Sequence, residues 1–227
     1  TAISAKQFKS CARVLAAKYE NYKYSDIERV NDSSIVAYQN LYDVQNCKLE
    51  LSFDIPEKYI FGKLEMTALN LSDTLNRIYI NFSDKMKVNR ILLNGTDALY
   101  RRENDFIIIN SQDIVKKENG FTININYEGA PENKGFDSFG FKTCDKEPAI
   151  YTLSEPEYAP TWWPCKVLTT DKFTSEVILT VPSELTAVSN GLLKEVNQET
   201  DSTKTFYWKS GYPITTYLVS IAIGKYD

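Results

Sequence analysis

One stretch concentrates the residues that could do chemistry: Ser154-Glu155-Pro156-Glu157-Tyr158-Ala159-Pro160-Thr161-Trp162-Trp163-Pro164-Cys165-Lys166. Proline fixes φ and removes a backbone donor, so three of them exclude a regular helix or a central strand here. Adjacent tryptophans bury much apolar surface, which predicts a loop pinned onto the body of the protein. Carboxylates on a rigid, anchored loop suit a binding site better than a linker. Spacing alone favours reading Glu155 and Glu157 as solvated charges in an acidic loop, since surface carboxylates are common.

The sharpest compositional fact is an absence: none of the 227 residues is histidine. That excludes Ser-His-Asp or Cys-His activation of a nucleophile, and any histidine-ligated zinc, within these residues. The four cysteines, Cys11, Cys47, Cys144 and Cys165, form no C-x-x-C pair, which disfavours a structural zinc site. Free, mostly buried thiols are the simpler expectation, with a Cys144–Cys165 disulfide the alternative in an oxidising compartment.

The net charge of −4 provides no basic face for nucleic acid. No apolar run is long enough to span a bilayer, so no transmembrane segment is expected. With 43% hydrophobic residues there is ample material for a core in one or two domains. The first residue is Thr1 rather than Met, which points to a processed precursor or a cloned piece. Compartment stays open, an exported, periplasmic or membrane-associated parent included.

The elements that must position the stretch follow from periodicity. Phe8, Cys11, Ala12, Leu15 and Tyr19 recur at helical steps, predicting a helix over 2–24. Residues 25–41 read as a linker or a short second helix. From Tyr42 the period becomes two, as in Lys48-Leu49-Glu50-Leu51-Ser52-Phe53-Asp54. Strand patterns recur at 60–69, 77–82, 88–93, 99–101, 105–109, 121–127, 149–153, 176–181, 186–188 and 205–208. Short strands broken by polar turns such as Asn94-Gly95 predict an antiparallel sandwich or barrel-like sheet system. The Gly-containing segment 128–148, with Phe136, Phe139 and Phe141, faces a partner or folds onto the core. The last strand, Thr215–Ile223, is apolar on both faces and should be central and covered, by a partner beyond these residues.

At this point the residues resemble a known family. Trp162-Trp163-Pro164-Cys165-Lys166 followed by Asp171-Lys172-Phe173 is similar to the N-terminal domain of zinc aminopeptidases of the aminopeptidase N and leukotriene hydrolase type. Tyr42-Asp43-Val44, Ile60-x-Gly62, Tyr127-Glu128-Gly129, Val181-Pro182, Ala187-Val188-Ser189-Asn190-Gly191 and Tyr217-Leu218-Val219-Ser220 fall in the same order. The resemblance covers about residues 42–227, looks bacterial, and implies a mainly β, saddle-like antiparallel sandwich over 42–227 after an N-terminal helical segment over 1–41. Similar sequences carry Asp and Pro where this chain has Val167 and Thr169.

The resemblance also implies a role. In the family, a Gln or Glu nine residues before the Pro of the Pro-Cys pair faces the active site and holds the substrate's free α-amino group. That position is Glu155. A carboxylate is the natural partner of a terminal ammonium, and the pairing registers the first peptide bond. The family's Gly-Ala-Met-Glu-Asn loop and H-E-x-x-H zinc helix are not in this sequence. The implied function is thus the substrate-anchoring N-terminal domain of a zinc metalloaminopeptidase, this chain alone being inactive. Zinc would belong to the full-length protein, and the partners would be a peptide substrate and the zinc catalytic domain of the same polypeptide. Glu157 reads as a rim or structural charge, and Tyr158 could line the site. The alternative is a non-catalytic β-sandwich binding or scaffold module; a Trp-rich carbohydrate-binding domain would instead expose its tryptophans.

Overall fold

The computed structural model describes residues 33–111, 116–135, 137–144 and 146–226. The helix expected over 2–24 lies outside the described residues. The chain runs through α1 (Ser33–Gln39), β1 (Tyr42–Asp54), β2 (Tyr59–Asn70), β3 (Arg77–Asn81), β4 (Lys87–Leu93), β5 (Thr96–Asp97), β6 (Tyr100–Glu103) and β7 (Phe106–Asn110). It continues with β8 (Gly120–Gly129), β9 (Phe139–Cys144), β10 (Glu147–Thr152), β11 (Phe173–Pro182), β12 (Thr186–Ser189), β13 (Leu192–Gln198), β14 (Thr203–Ile214) and β15 (Ile221–Gly224).

Period-two patterning decides the architecture. Along β2, β8 and β11 buried and more exposed positions alternate, so each strand turns one face inward. These strands belong to an eight-stranded sheet ordered β13-β14-β11-β1-β2-β8-β4-β5. A four-stranded sheet, β12-β15-β10-β9, and a three-stranded one, β3-β7-β6, share a single core with it. The large sheet's other face carries charge: Lys48–Glu50 at 3.1 Å, Lys63–Glu50 at 3.7 Å and Lys209–Glu176 at 2.9 Å. Such pairs contribute little stability, but they mark a face made for water.

One pairing in the large sheet is parallel: β1 runs alongside β11 from Asn46↔Thr174 to Ser52↔Thr180. Parallel neighbours need a long crossover, and the residues between them, including both β3-β7-β6 and the Trp-rich loop, supply it. The loop is therefore carried back to the start of the sheet.

Three segments differ from their sequence patterns. β9 and β13 were not expected; β9 forms because Phe139–Cys144 pairs with β10 from Thr152↔Phe139 to Glu147↔Cys144. Phe139 is buried and Phe141 packs on the core, so this segment folds inward. The terminal strand is shorter than its apolar run. Thr216–Leu218 makes a 3-10 turn, and the strand begins only at Ile221, between β12 and β10. The Asn190 side chain holds this turn, accepting from Ser220 N at 2.8 Å and donating to Leu218 O at 2.9 Å. Leu218 is left exposed, not covered.

Gly62 tests the close packing. It lies opposite Tyr127 across β2 and β8, and a Cβ there would fall 2.1 Å from the buried tyrosine ring. Gly62→Ala is expected to destabilise the chain by about 1–3 kcal/mol, the usual cost of overpacking. An unchanged urea midpoint would show that the ring moves aside freely.

Candidate functional site

The Trp-rich loop begins where β10 ends. Prolines deny it a regular ladder, and turns satisfy several of its remaining backbone groups. Tyr158 N donates to Ser154 O at 2.7 Å, closing the turn that carries Glu155, Pro156 and Glu157. The Glu155–Pro156 peptide is cis. A 3-10 turn, Ala159–Thr161, follows with Pro160 in its first turn, where a missing N–H costs nothing. Trp162 N and Trp163 N both donate to Ala159 O, at 3.1 and 3.2 Å.

The loop is then fastened at several points. Ser83 N donates to Pro160 O at 2.9 Å, and Cys165 exchanges two backbone bonds with Asn81, at 2.8 and 3.0 Å. Asn81 Oδ1 accepts from Gln39 Nε2 at 2.6 Å, so α1 buttresses the same joint. Trp162 Nε1 donates to Ser154 Oγ at 2.9 Å, tying the loop's start to its middle. Both tryptophans are fully buried, in a series of tilted and edge-on ring contacts from Phe139 through Trp162 and Trp163 to Phe173 with centroids 5.9, 5.9 and 6.2 Å apart. They are packing anchors, which removes the carbohydrate-platform reading. Cys165 is buried and Cys144 exposed, both as free thiols, so the Cys144–Cys165 disulfide is not formed.

Downstream, Lys166 and Asp171 are buried as an ion pair, Nζ to Oδ2 at 2.5 Å. Lys166 Nζ also donates to Tyr42 O at 2.6 Å and sits 4.5 Å from the Tyr42 ring centroid. Asp171 accepts from Val44 N at 3.3 Å, beside the bulge that interrupts β1 between Val44 and Asn46. Burial pushes the Asp171 carboxyl up and the Lys166 ammonium down, and their mutual attraction opposes both shifts. Sequence reading placed Lys166 and Asp171 in a motif but missed that they pair.

Glu155 therefore sits at the solvent-exposed tip of a loop whose base is buried on both sides. Among the described residues its carboxylate is unpaired. A fixed backbone with a free, ionisable carboxylate is an arrangement that can receive a cation. Tyr158, which could line the site, is buried against Gly135.

Glu157 is half-buried, and burial raises its carboxyl above the ordinary 4.5. The folded state then holds its proton more tightly than the unfolded chain. Its contribution to stability is fully present below the ordinary value and is lost as pH rises through the raised one. Glu157→Gln is accordingly expected to stabilise the chain at neutral pH and to lose that advantage below about pH 4. Parallel thermal melts of the two proteins across pH would check this; a constant offset would contradict it.

Comparison with known proteins places the chain, by family and fold, among the N-terminal domains of M1 peptidases. The family model for the Peptidase M1 N-terminal domain matches residues 37–218, and the chain belongs to that family. A curated relative, leukotriene A-4 hydrolase from Xenopus laevis, is 21% identical over 213 residues, covering 86% of this chain and 34% of its own length. Among solved structures, an M1 zinc metallopeptidase from Deinococcus radiodurans superposes with a TM-score of 0.71 at 23% identity, over 81% of this chain and 42% of that one. A yeast LTA4 hydrolase gives 0.70 at 20% identity, over 82% and 29%. The chain thus spans about a third of the curated relative it matches. At these identities the superpositions establish the mainly β fold of several antiparallel sheets expected from the sequence.

The described residues do not fit a zinc centre. The sequence has no histidine, and among the described residues no three Cys, Asp or Glu side chains gather into a metal-binding group. Among them, too, no helix is long and apolar enough to cross a membrane.

Proposed function

We propose that this chain is the substrate-facing N-terminal domain of a zinc-dependent aminopeptidase, with Glu155 receiving the free α-amino group of a peptide. The observation that carries the reading is the exposed Glu155 carboxylate, unpaired among the described residues, on a loop anchored by the buried Trp162–Trp163 pair. One solved relative in the same fold was captured with a Tyr-Ser-Ala substrate, which makes a short peptide the reasonable ligand class. In this reading residues 42–227 are the β domain, 1–41 a leading helical segment, and the zinc is held by a catalytic domain of the full-length parent. Glu155 supplies charge and orientation, not bond cleavage: an ammonium held at a fixed point sets the first peptide bond in register.

The test is hydrolysis of aminoacyl anilides by the full-length parent. Turnover should require zinc and a free amino terminus, and Glu155→Gln should weaken it. Equal turnover of N-acetylated substrates would sink the amino-group reading. A parent without zinc-dependent turnover would leave a binding or scaffold module related to the peptidase fold.

A further inference from the structure

The segment between β8 and β9 contains a buried carboxylate that neither the packing core nor the proposed site uses. Asp137 is 3% exposed and adopts φ +70°, a left-handed conformation that only a well-anchored non-glycine residue holds. Its anchors stand on the rigid β9–β10 hairpin. Tyr151 Oη donates to Oδ2 at 2.9 Å, and Lys142 Nζ lies 3.5 Å from Oδ1. Asn133 Nδ2 donates to Oδ1 from within the segment. Tyr151 itself is held across Gly140, where a Cβ would come within 2.7 Å of its ring.

The left-handed turn at Asp137 presents the next residue to the Glu155 loop. Ser138 is fully buried, and its carbonyl accepts from Leu153 N at 3.2 Å. Its hydroxyl donates to Glu132 O at 3.0 Å, accepts from Lys134 N at 3.0 Å, and lies 3.2 Å from Thr161 Oγ1, which shares its proton between Ser138 Oγ and Tyr158 O at 2.7 Å. Leu153 and Thr161 bracket the turn that carries Glu155. Gly135 closes from below, so near Tyr158 that a Cβ would lie 2.3 Å from its ring.

We propose that Asp137 is a positioning residue for Glu155, acting through Ser138 on both flanks of the carboxylate-bearing turn. The substrate part rests on the proposed function; the anchoring part does not. With Leu153 held through its amide and Thr161 through its hydroxyl, the backbone beneath the carboxylate has one resting position. Released, it samples several, and the orientation it gives an ammonium is diluted.

The experiment is a double-mutant cycle in the full-length parent, with amide hydrogen exchange on the same proteins. Asp137→Ala should lower kcat/KM about tenfold when Glu155 is present and leave it almost unchanged in a Glu155→Gln background. Asp137→Asn, which keeps the size and tolerates the left-handed backbone, should restore most of the loss. The Leu153 amide should exchange about tenfold faster in Asp137→Ala, since it donates to Ser138 O. Should Asp137→Ala not fold, Ser138→Ala removes the hydroxyl clamp alone and should show the same coupling to Glu155. Equal losses in both Glu155 backgrounds, or unchanged Leu153 exchange, overturn the assignment. A silent Glu155→Gln with a faster Leu153 amide overturns the proposed function while upholding the anchoring.

Discussion

Glu155→Gln in the full-length parent is expected to reduce kcat/KM by roughly 10- to 150-fold while zinc content stays at the wild-type level. The magnitude follows from the bond being removed. A charge-assisted hydrogen bond contributes about 1.5–3 kcal/mol, and glutamine keeps the length and an acceptor oxygen but not the charge. Because the carboxylate is unpaired among the described residues, no buried partner is orphaned by the change, so the loss reports substrate contact and not misfolding. A far-ultraviolet spectrum and melting temperature unchanged from wild type would confirm that separation. Kinetics within twofold of wild type would remove Glu155 from the site.

Lys166→Ala is expected to cost the chain about 3–5 kcal/mol, a large share of a typical domain's stability. The substitution leaves the Asp171 carboxylate buried without its cation, and its second oxygen, Oδ1, already lacks a partner. The Tyr42 carbonyl and ring lose their ammonium in the same step. A paired replacement, Lys166→Met with Asp171→Leu, removes both charges together and should recover most of the loss. Urea unfolding of the three proteins decides between these outcomes. A Lys166→Ala cost below about 1 kcal/mol would mean the pair is solvated like the surface pairs. The consequence reaches the site, because Lys166 follows directly on the Cys165–Asn81 joint that fastens the Glu155 loop.

Much of the strand content was legible because alternation is local. Leu49 and Leu51 face the core for the same reason they alternate with Lys48 and Glu50 in the sequence. The terminal run Thr215–Ile223 misled because apolar content does not show where a turn intervenes; the Asn190 side chain, distant in sequence, decides that. β13 was missed because all seven of its residues are exposed, so no buried face imposed a pattern. Segment 128–148 read only as a Gly- and Phe-bearing loop, and the Asp137 anchor inside it has no local signature, since Tyr151 lies fourteen residues on.

The Ser154–Lys166 stretch shows the same division. Its prolines and tryptophans determined, by φ restriction and apolar area, that it would be a rigid and anchored loop. The ordered motifs around it carried the family likeness that the match over residues 37–218 established. Only the tertiary structure decided that the tryptophans are fully buried, that Lys166 neutralises Asp171 inside the protein, and that Tyr158 is buried while Glu155 is exposed. Those outcomes depend on pairings between residues far apart in the chain, β1 with β11 and Asn81 with Cys165. Local periodicity describes which way a side chain faces, whereas such non-local contacts decide what it meets there.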